Sequence, residues 1–305
     1  MTNSTILNTF REYILTNKPI EQNDWNAFQT SLFEYGIGME ETLQFLYFNQ
    51  PNTSDFQTWI DKNKRLYQNE NIEHFSDVLS LEDLKFWNKN GYIVVKNAIS
   101  REDCEETQNA ILDYLEASLD NPASWYKNHE AKEGLMVLFT KHPTLEKNRA
   151  SLKIQKAYQQ LYETDKIYRV IDKVSFNPPE NNSYKFMGSL LHWDVSLQLP
   201  IPFKLQGLLY LTDVKANSGA FHCVPGFHHR IENWIENLPK NANPREIAVQ
   251  ELKPIPVLGN AGDFVIWHQA LPHCATLNTS DLPRMVQYLT YLPIETDDVE
   301  NQDWI

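Results

Sequence analysis

The C-terminal half of the chain is a succession of short strand-like segments without intervening helices, and this pattern limits the possible folds. The segments read "KVSFNPP", "LLHWDVSLQL", "LQGLLYLTDV", "GAFHCVPG", "IAVQELKPIPV", "GDFVIWH" and "MVQYLTYLP". Turn signals such as "NPPENN", "ANSGA" and "LGNAGD" separate them. Because strands that follow one another directly pair in antiparallel fashion, the pattern predicts a mainly β core, a sandwich or barrel such as the jelly roll.

The N-terminal part has helical periodicity instead. Ile6, Phe10 and Ile14 recur at helical spacing, and a similar repeat begins at Trp25. The pattern predicts a helical extension over residues 1–75 that packs on the main domain, with a partner-binding or substrate-capping helix pair as the alternative.

The main domain is expected to span residues 76–305. Its first stretch, "SLEDLKFWNKNGYIVVKNAISREDCEETQNAILDYL", predicts a short helix, a turn at Gly91, a strand from Tyr92 to Val95 and a long second helix. Ser100 and Asp103 resemble a capping box at the start of that second helix.

Charge and cysteine content exclude several function classes. The net charge of −13 opposes binding to a phosphate backbone, so we expect no nucleic-acid partner. No apolar run approaches the roughly 18 residues that cross a membrane, and the N-terminus lacks the pattern of a secretory signal. Cys104, Cys223 and Cys274 form no CxxC motif, which argues against a disulfide framework and favours a reducing cytoplasm.

His192 and Asp194 lie two residues apart in the apolar stretch "SLLHWDVSLQL". On a strand they share one face, and burying such a pair is costly unless a metal ion or another partner compensates. Taken alone, an H-x-D pair is more often structural. A third ligand is available from His268 or His273, and two histidines with one carboxylate form the facial triad of non-haem Fe(II) oxygenases.

The order of motifs resembles the phytanoyl-CoA dioxygenase-like family of Fe(II)- and 2-oxoglutarate-dependent oxygenases. The similar segments are "FWNKNGYIVVKNAIS", "HWD", "NSGAFHCVPGFHH" and "HCATLNTSDLPR", and the resemblance covers roughly residues 81–292. It implies a double-stranded β-helix, the cupin-like jelly roll, with flanking α-helices. The N-terminal extension lies outside it.

Position by position, the resemblance makes His192, Asp194 and His273 the iron ligands. Arg284 matches the residue that pairs with the C5 carboxylate of 2-oxoglutarate, a task that suits a planar guanidinium; the alternative is a surface arginine. His273 lies eleven residues before Arg284 and His268 sixteen. The family spacing of about ten favours His273. His268 then contacts a ligand side chain or the substrate, or it is an ordinary partly exposed histidine.

Further residues are weaker candidates. Trp193, Gln206 and Tyr210 are expected to line the cofactor pocket, with core packing as the alternative. Possible substrate contacts, each of which is otherwise a surface residue, are Trp125, Lys127, Arg230 and Trp234.

Other histidines and Cys274 are expected to have no part in the chemistry. His222, His228 and His229 are assigned to loop and rim positions, without a second metal site. Cys274 is expected to be a small buried hydrophobic residue and not a nucleophile.

Two departures from the family pattern concern cosubstrate contacts. Ala275 stands where the family often has Ser or Thr, and Phe227 replaces the serine of its P-G-S-H motif. These changes leave the metal triad intact.

The resemblance implies Fe(II), 2-oxoglutarate and O2 as cofactors, and a small-molecule substrate. The expected reaction hydroxylates an unactivated C–H bond of a small metabolite, such as an amino acid, a peptide or a secondary metabolite, while 2-oxoglutarate is converted to succinate and CO2. Asp194 favours a hydroxylase, because related halogenases lack this carboxylate. The alternatives are a cupin-type enzyme, which usually needs H-x-H and a following Glu, and a catalytically silent jelly-roll binding protein.

Overall fold

A computed structural model describes residues 3–64, 75–186, 188 and 190–294. Its helices flank a β core, and no helix among these residues has the length and apolar character needed to cross a membrane. The helices are α1 (Asn3–Leu15), α2 (Gln22–Glu34), α3 (Met39–Asn49), α4 (Thr53–Asn63), α5 (Leu81–Asn90), α6 (Arg101–Tyr114), α7 (Pro143–Arg149), α8 (Leu152–Tyr162), α9 (Ile231–Glu236) and α10 (Pro244–Glu251).

The strands form one large and two small antiparallel sheets. The order in the large sheet is β1-β9-β6-β11-β5-β3-β2, and the small sheets are β10-β7-β8 and β12-β4. This arrangement confirms the predicted mainly β core with flanking helices. The strands are β1 (Tyr92–Val95), β2 (Lys132–Glu133), β3 (Met136–Val137), β4 (Ile167–Arg169), β5 (Val174–Asn177), β6 (Leu205–Tyr210), β7 (Phe221–Cys223), β8 (Ile255–Val257), β9 (Phe264–His268), β10 (His273–Ala275), β11 (Arg284–Tyr288) and β12 (Tyr291–Pro293).

Strand alternation divides the apolar side chains of the large sheet between two cores. On β9, Phe264 and Ile266 belong to the core covered by α6 and α8, whereas Val265 and Trp267 belong to the core that includes β7 and β10. Successive residues of a strand point to opposite faces, so β9, whose first four residues are apolar, serves both cores.

Helices α1 to α4 have their own apolar cluster and also contact the β core. Phe33 of α2 stacks on Tyr168 of β4 with ring centroids 6.1 Å apart. Lys141 forms a 2.8 Å ion pair with Glu41 of α3. The helical character of the N-terminal part is thus observed for residues 3–63, while residues 65–74 of the predicted extension lie outside the described part. The division into units at residue 75 stays a prediction.

The first motif region folds as expected. Helix α5 ends at Gly91, whose φ of 73° is a left-handed conformation that suits glycine. The Ser100 side chain accepts a hydrogen bond of 3.1 Å from the Asp103 backbone N–H at the start of α6.

One predicted strand is wrong and another is only partly right, because β8 (Ile255–Val257) covers just the end of its segment. The segment "LLHWDVSLQL" forms no strand, and only a single bridge joins His192 to His273. The first part of "IAVQELKPIPV" belongs to helix α10, because Asn243 caps the helix and Pro244 occupies its first turn.

Candidate metal centre and cosubstrate pocket

A pair of backbone hydrogen bonds brings the two predicted histidine ligands together. The His192 N–H donates to the His273 carbonyl at 3.0 Å, and the His273 N–H donates to the His192 carbonyl at 2.9 Å. The ring centroids are 4.6 Å apart. One bridge therefore aligns two candidate ligands that lie far apart in the sequence.

Backbone carbonyls orient both imidazole rings. Nδ1 of His192 lies 2.7 Å from the Leu190 carbonyl, and Nδ1 of His273 lies 3.1 Å from the Leu271 carbonyl. A carbonyl only accepts, so Nδ1 carries a hydrogen in both rings, and Nε2, which faces Asp194, is the nitrogen left for a metal ion. This is the outer hydrogen bonding typical of metal-binding histidines.

Asp194 completes a candidate set of three metal ligands. Its Oδ1 lies 3.4 Å from Nε2 of His192, and its Oδ2 lies 3.1 Å from Nε2 of His273. The three potential ligand atoms lie within 4.8 Å of one another. Two imidazole nitrogens and one carboxylate suit Fe(II) and leave positions open for other ligands.

The pKa values reflect this close packing. Burial opposes ionisation of Asp194, but hydrogen bonds from His192 and His273 outweigh it and hold the pKa of the carboxyl well below its usual range. Burial also disfavours the charged form of His192, yet the hydrogen bond to Asp194 gives a net rise in its pKa. The Asp194 carboxyl is therefore held in its charged form, which is the form that binds a metal ion.

Gln206 and Trp267 hold the carboxylate in place. The Gln206 side-chain amide donates to Oδ2 of Asp194 at 2.8 Å, and Nε1 of Trp267 donates to Oε1 of Gln206 at 3.0 Å. Gln206 on β6 is the register partner of Trp267 on β9. The sheet thereby fixes a side chain of the irregular segment.

Arg245 on α10 binds the backbone on both sides of Asp194. Its Nη1 donates to the Trp193 carbonyl and its Nη2 to the Val195 carbonyl, each at 2.8 Å. These carbonyls satisfy their hydrogen bonding through a side chain because the segment has no neighbouring strand there.

Arg284 lies in the same cavity as the three ligands. This cavity of about 190 Å³ is lined by His192, Asp194, His273 and Arg284 among others. The Arg284 side chain is 2% exposed; its Nη2 donates to Oγ of Ser175 at 3.3 Å, and its Nε has no partner among the described residues. A buried guanidinium with unused donors suits the carboxylate of a bound ligand.

Of the predicted pocket residues, Gln206 lines the cavity but Trp193 and Tyr210 do not, which corrects that expectation. Trp193 is 1% exposed and donates from Nε1 to the Ala270 carbonyl at 2.9 Å. It points away from its neighbours His192 and Asp194 into the core. The Tyr210 hydroxyl donates to the Val257 carbonyl at 2.7 Å, deeper between the sheets.

The remaining histidines lie outside the ligand set. His192, Asp194 and His273 are the one group of three at metal-ligand distances that the described residues contain. His268 contacts His228, with ring centroids 5.2 Å apart, and its Nδ1 accepts from the Ala270 N–H. His222 places its Nδ1 against the Ala220 carbonyl.

Cys274 is at the cavity wall, whereas the four predicted substrate contacts lie elsewhere. Cys274 lines the cavity, and burial raises the pKa of its thiol to about 11, which does not suit a nucleophile. Trp125 and Lys127 line a separate surface cleft. Arg230 and Trp234 both contact the ring of Phe227 instead of the cavity.

Several lining residues were not predicted. Two of them follow from strand alternation, since Leu208 shares a face of β6 with Gln206, and Tyr288 shares a face of β11 with Arg284. Arg245 had no such signal, because its partners are backbone carbonyls. The unpredicted lining residues include Asp172, Lys173, Leu208, Phe221, Trp267 and Tyr288.

A jelly-roll core that combines a His-Asp-His set with a buried arginine defines the class of non-haem iron oxygenases. The family model described as phytanoyl-CoA dioxygenase (PhyH) matches residues 87–286. The chain belongs to the phytanoyl-CoA dioxygenase family and is a dioxygenase. Fe(II), 2-oxoglutarate and O2 are its cofactors, as the family and the donor set require.

Individual relatives are distant. A putative phytanoyl-CoA dioxygenase from Dictyostelium discoideum is 24% identical over 264 residues, covering 70% of this chain and 75% of the relative. The α-ketoglutarate-dependent carbocyclase SnoK from nogalamycin biosynthesis has a TM-score of 0.51 at 20% identity, covering 74% of this chain and 87% of SnoK. EctD from S. alaskensis has a TM-score of 0.52 at 17% identity, covering 71% of this chain and 78% of EctD. These solved structures establish the shared fold.

Proposed function

We propose that the protein hydroxylates an unactivated C–H bond of a small metabolite. In this proposal His192, Asp194 and His273 hold Fe(II), and Arg284 binds the C5 carboxylate of 2-oxoglutarate. The observation that carries it is the presence, in one cavity, of three converging ligand side chains and a buried arginine with an unpartnered Nε.

The protein's own residues bind the metal ion and the cosubstrate, orient the ligand side chains and enclose the cavity. Bound Fe(II), with 2-oxoglutarate and O2, supplies the oxidation that the side chains cannot perform, and yields succinate and CO2 as by-products. The carbonyls of Leu190 and Leu271 keep the histidines in the ligating tautomer. Phe221 and Trp267 form apolar walls that limit the access of water.

Hydroxylation is favoured over halogenation because Asp194 offers a carboxylate ligand. A halogenase of this type needs that coordination position for chloride, whereas here the carboxylate of Asp194, with its depressed pKa, would take it. A cupin-type site would need an H-x-H motif followed by Glu, which "HWDVSLQ" does not supply.

A small substrate in a reducing compartment fits the molecule. One solved structure of EctD contains 2-oxoglutarate and 5-hydroxyectoine, and one of the epimerase SnoN contains nogalamycin RO. All three cysteines of the chain are buried free thiols, which supports a cytoplasmic location.

Product mass tests the proposed reaction. A metabolite library is screened for compounds that stimulate succinate formation from 2-oxoglutarate, and products of each hit are analysed under ¹⁸O₂. Hydroxylation predicts one added oxygen atom derived from O2. A product that has only lost two hydrogens, or an isomer of unchanged mass, would instead assign desaturation, ring closure or epimerisation.

A further inference from the structure

Tyr288 lines the metal cavity, and none of the roles proposed above uses its hydroxyl. It lies on β11, four residues after Arg284 and on the same face of the strand. Val286, between them on this face, belongs to the core that includes β7 and β10, and Tyr288 packs against the same core. The phenol and the guanidinium therefore reach the cavity from one strand.

The Arg284 side chain runs along β11 toward Tyr288. Its Nη2 donates to Oγ of Ser175, and Ser175 is the register partner of Val286, two residues farther along the strand. Side chains of strands commonly lean along the strand direction in this way. The guanidinium is thereby brought to the Tyr288 phenol, with which it shares a side-chain hydrogen bond.

This hydrogen bond leaves the phenolic hydrogen unused. A guanidinium only donates, so the Tyr288 oxygen accepts and its O–H remains a donor. Burial raises the pKa of Tyr288, although Arg284 opposes part of the rise, so the phenol keeps its hydrogen near neutral pH. Asp172 and Asp194 act on the phenol through their charge, and among the described residues neither carboxylate accepts a hydrogen bond from it. The cavity thus has an available O–H donor beside the guanidinium.

We propose that Tyr288 is a second anchor for the C5 carboxylate of 2-oxoglutarate: Arg284 donates to the phenolic oxygen, and the phenolic O–H donates to the carboxylate. The inference rests on the proposed function and adds a binding residue to it. A hydrogen bond to a charged acceptor is among the strong ones, and the guanidinium makes the phenol a better donor by polarising it. One strand of the large sheet then supplies both groups that hold the carboxylate.

Anaerobic titration of the Fe(II)-loaded protein tests the inference without turnover. The visible absorbance band of the Fe(II)–2-oxo acid complex reports binding of 2-oxoglutarate and of 2-oxopentanoate, which has a methyl group in place of the C5 carboxylate. Tyr288→Phe should raise the dissociation constant for 2-oxoglutarate by about tenfold, because a hydrogen bond to a charged group is lost, and should leave that for 2-oxopentanoate within about twofold. Tyr114→Phe, at an exposed position outside the cavity, should leave both constants within about twofold of wild type.

A second measurement keeps the phenol in place. Incorporation of 3,5-difluorotyrosine at position 288 preserves the hydroxyl but lowers its pKa, so that the phenol ionises in an accessible pH range. Ionisation removes the donor and adds a negative charge beside the C5 carboxylate. The affinity for 2-oxoglutarate should therefore fall by about tenfold or more as the pH rises, and the affinity for 2-oxopentanoate should fall less. Wild type should show no such difference between the two acids over the same range.

Each outcome bears on one claim. The inference is overturned if Tyr288→Phe binds 2-oxoglutarate as wild type does, or if it loses affinity for both acids equally, which would show that the phenol only supports the fold. It is also overturned if the difluorotyrosine protein binds both acids with the same pH dependence. In these cases the Fe(II)–2-oxoglutarate band of wild type remains and the proposed function survives, whereas absence of that band from wild type overturns both.

Discussion

The side-chain amide of Gln206 donates a 2.8 Å hydrogen bond to Oδ2 of Asp194, the carboxylate of the candidate metal centre. Trp267 fixes the amide in turn, because its indole N–H donates to the Gln206 carbonyl. The bond matters since the segment that carries Asp194 is not part of a strand. The rigid sheet thus sets the carboxylate orientation through one glutamine.

Replacing Gln206 by leucine should weaken Fe(II) binding. The substitution keeps a similar size but removes the donor, and loss of such an outer contact typically lowers metal affinity by about 10- to 100-fold. Fe(II) dissociation constants measured anaerobically check this prediction. Gln198→Leu at an exposed position is the matched control; an affinity loss in the control equal to that of Gln206→Leu would contradict the specific role.

Arg245→Met should also lower Fe(II) affinity, by about tenfold, because the carbonyls beside Asp194 lose their donors. Arg245→Lys should keep only part of the wild-type Fe(II) affinity, since an ammonium group does not reproduce the planar arrangement of donors in a guanidinium. Metal titration is compared with urea unfolding of the metal-free protein. A variant that unfolds at lower urea concentration but binds Fe(II) as wild type does would show that Arg245 supports only the fold.

Arg284 should determine affinity for 2-oxoglutarate. Arg284→Met is expected to raise the apparent KM for 2-oxoglutarate by about 100-fold, and Arg284→Lys by about tenfold, because lysine keeps the charge but not the bidentate geometry. Fe(II) affinity should change little in both variants. An unchanged KM in Arg284→Met would contradict the assignment.

His268 should make the fold sensitive to acid. Burial, together with His228 and His229, lowers the pKa of His268 to about 3 from an ordinary value of 6.5. The unfolded chain therefore binds more protons between these values, so stability is full above about pH 6.5 and is lost as the pH falls toward 3.

Urea unfolding of the metal-free protein tests this prediction. The stability difference between pH 7 and pH 4.5 should shrink by on the order of 2 kcal/mol in His268→Asn, whose side-chain oxygen can still accept from the Ala270 N–H. An identical pH dependence in wild type and variant would exclude His268 as the source.

The site could be located from sequence because its chemistry depends on residue type and order. The H-x-D pair, a distal histidine and a following arginine identify His192, Asp194, His273 and Arg284, and the structure brings these four residues into one cavity. Their roles as ligands and anchor stay predictions until tested. The mainly β core was predictable for a similar reason, since apolar runs broken by turn residues leave few alternatives.

The sequence does not predict the backbone conformation of the segment around Asp194, or how deeply each side chain of a strand is buried. "LLHWDVSLQL" has the apolar content of a strand, yet Arg245 binds carbonyls that a strand neighbour would otherwise satisfy. Tyr210 shares a face of β6 with Gln206, but it lies four residues farther along the strand, where its hydroxyl bonds to Val257. Both results depend on tertiary contacts that periodicity does not encode.

The assignment of this cavity as the oxygenase centre is tested most directly by anaerobic loading of the protein with Fe(II) and 2-oxoglutarate, followed by exposure to O2. Wild type should develop the visible Fe(II)–2-oxoglutarate absorbance band and release succinate in an O2-dependent manner. His192→Ala should lose both while retaining a cooperative unfolding transition. Absence of the band and of succinate from wild type, or wild-type levels of both in His192→Ala, would contradict the assignment of this cavity as the oxygenase centre.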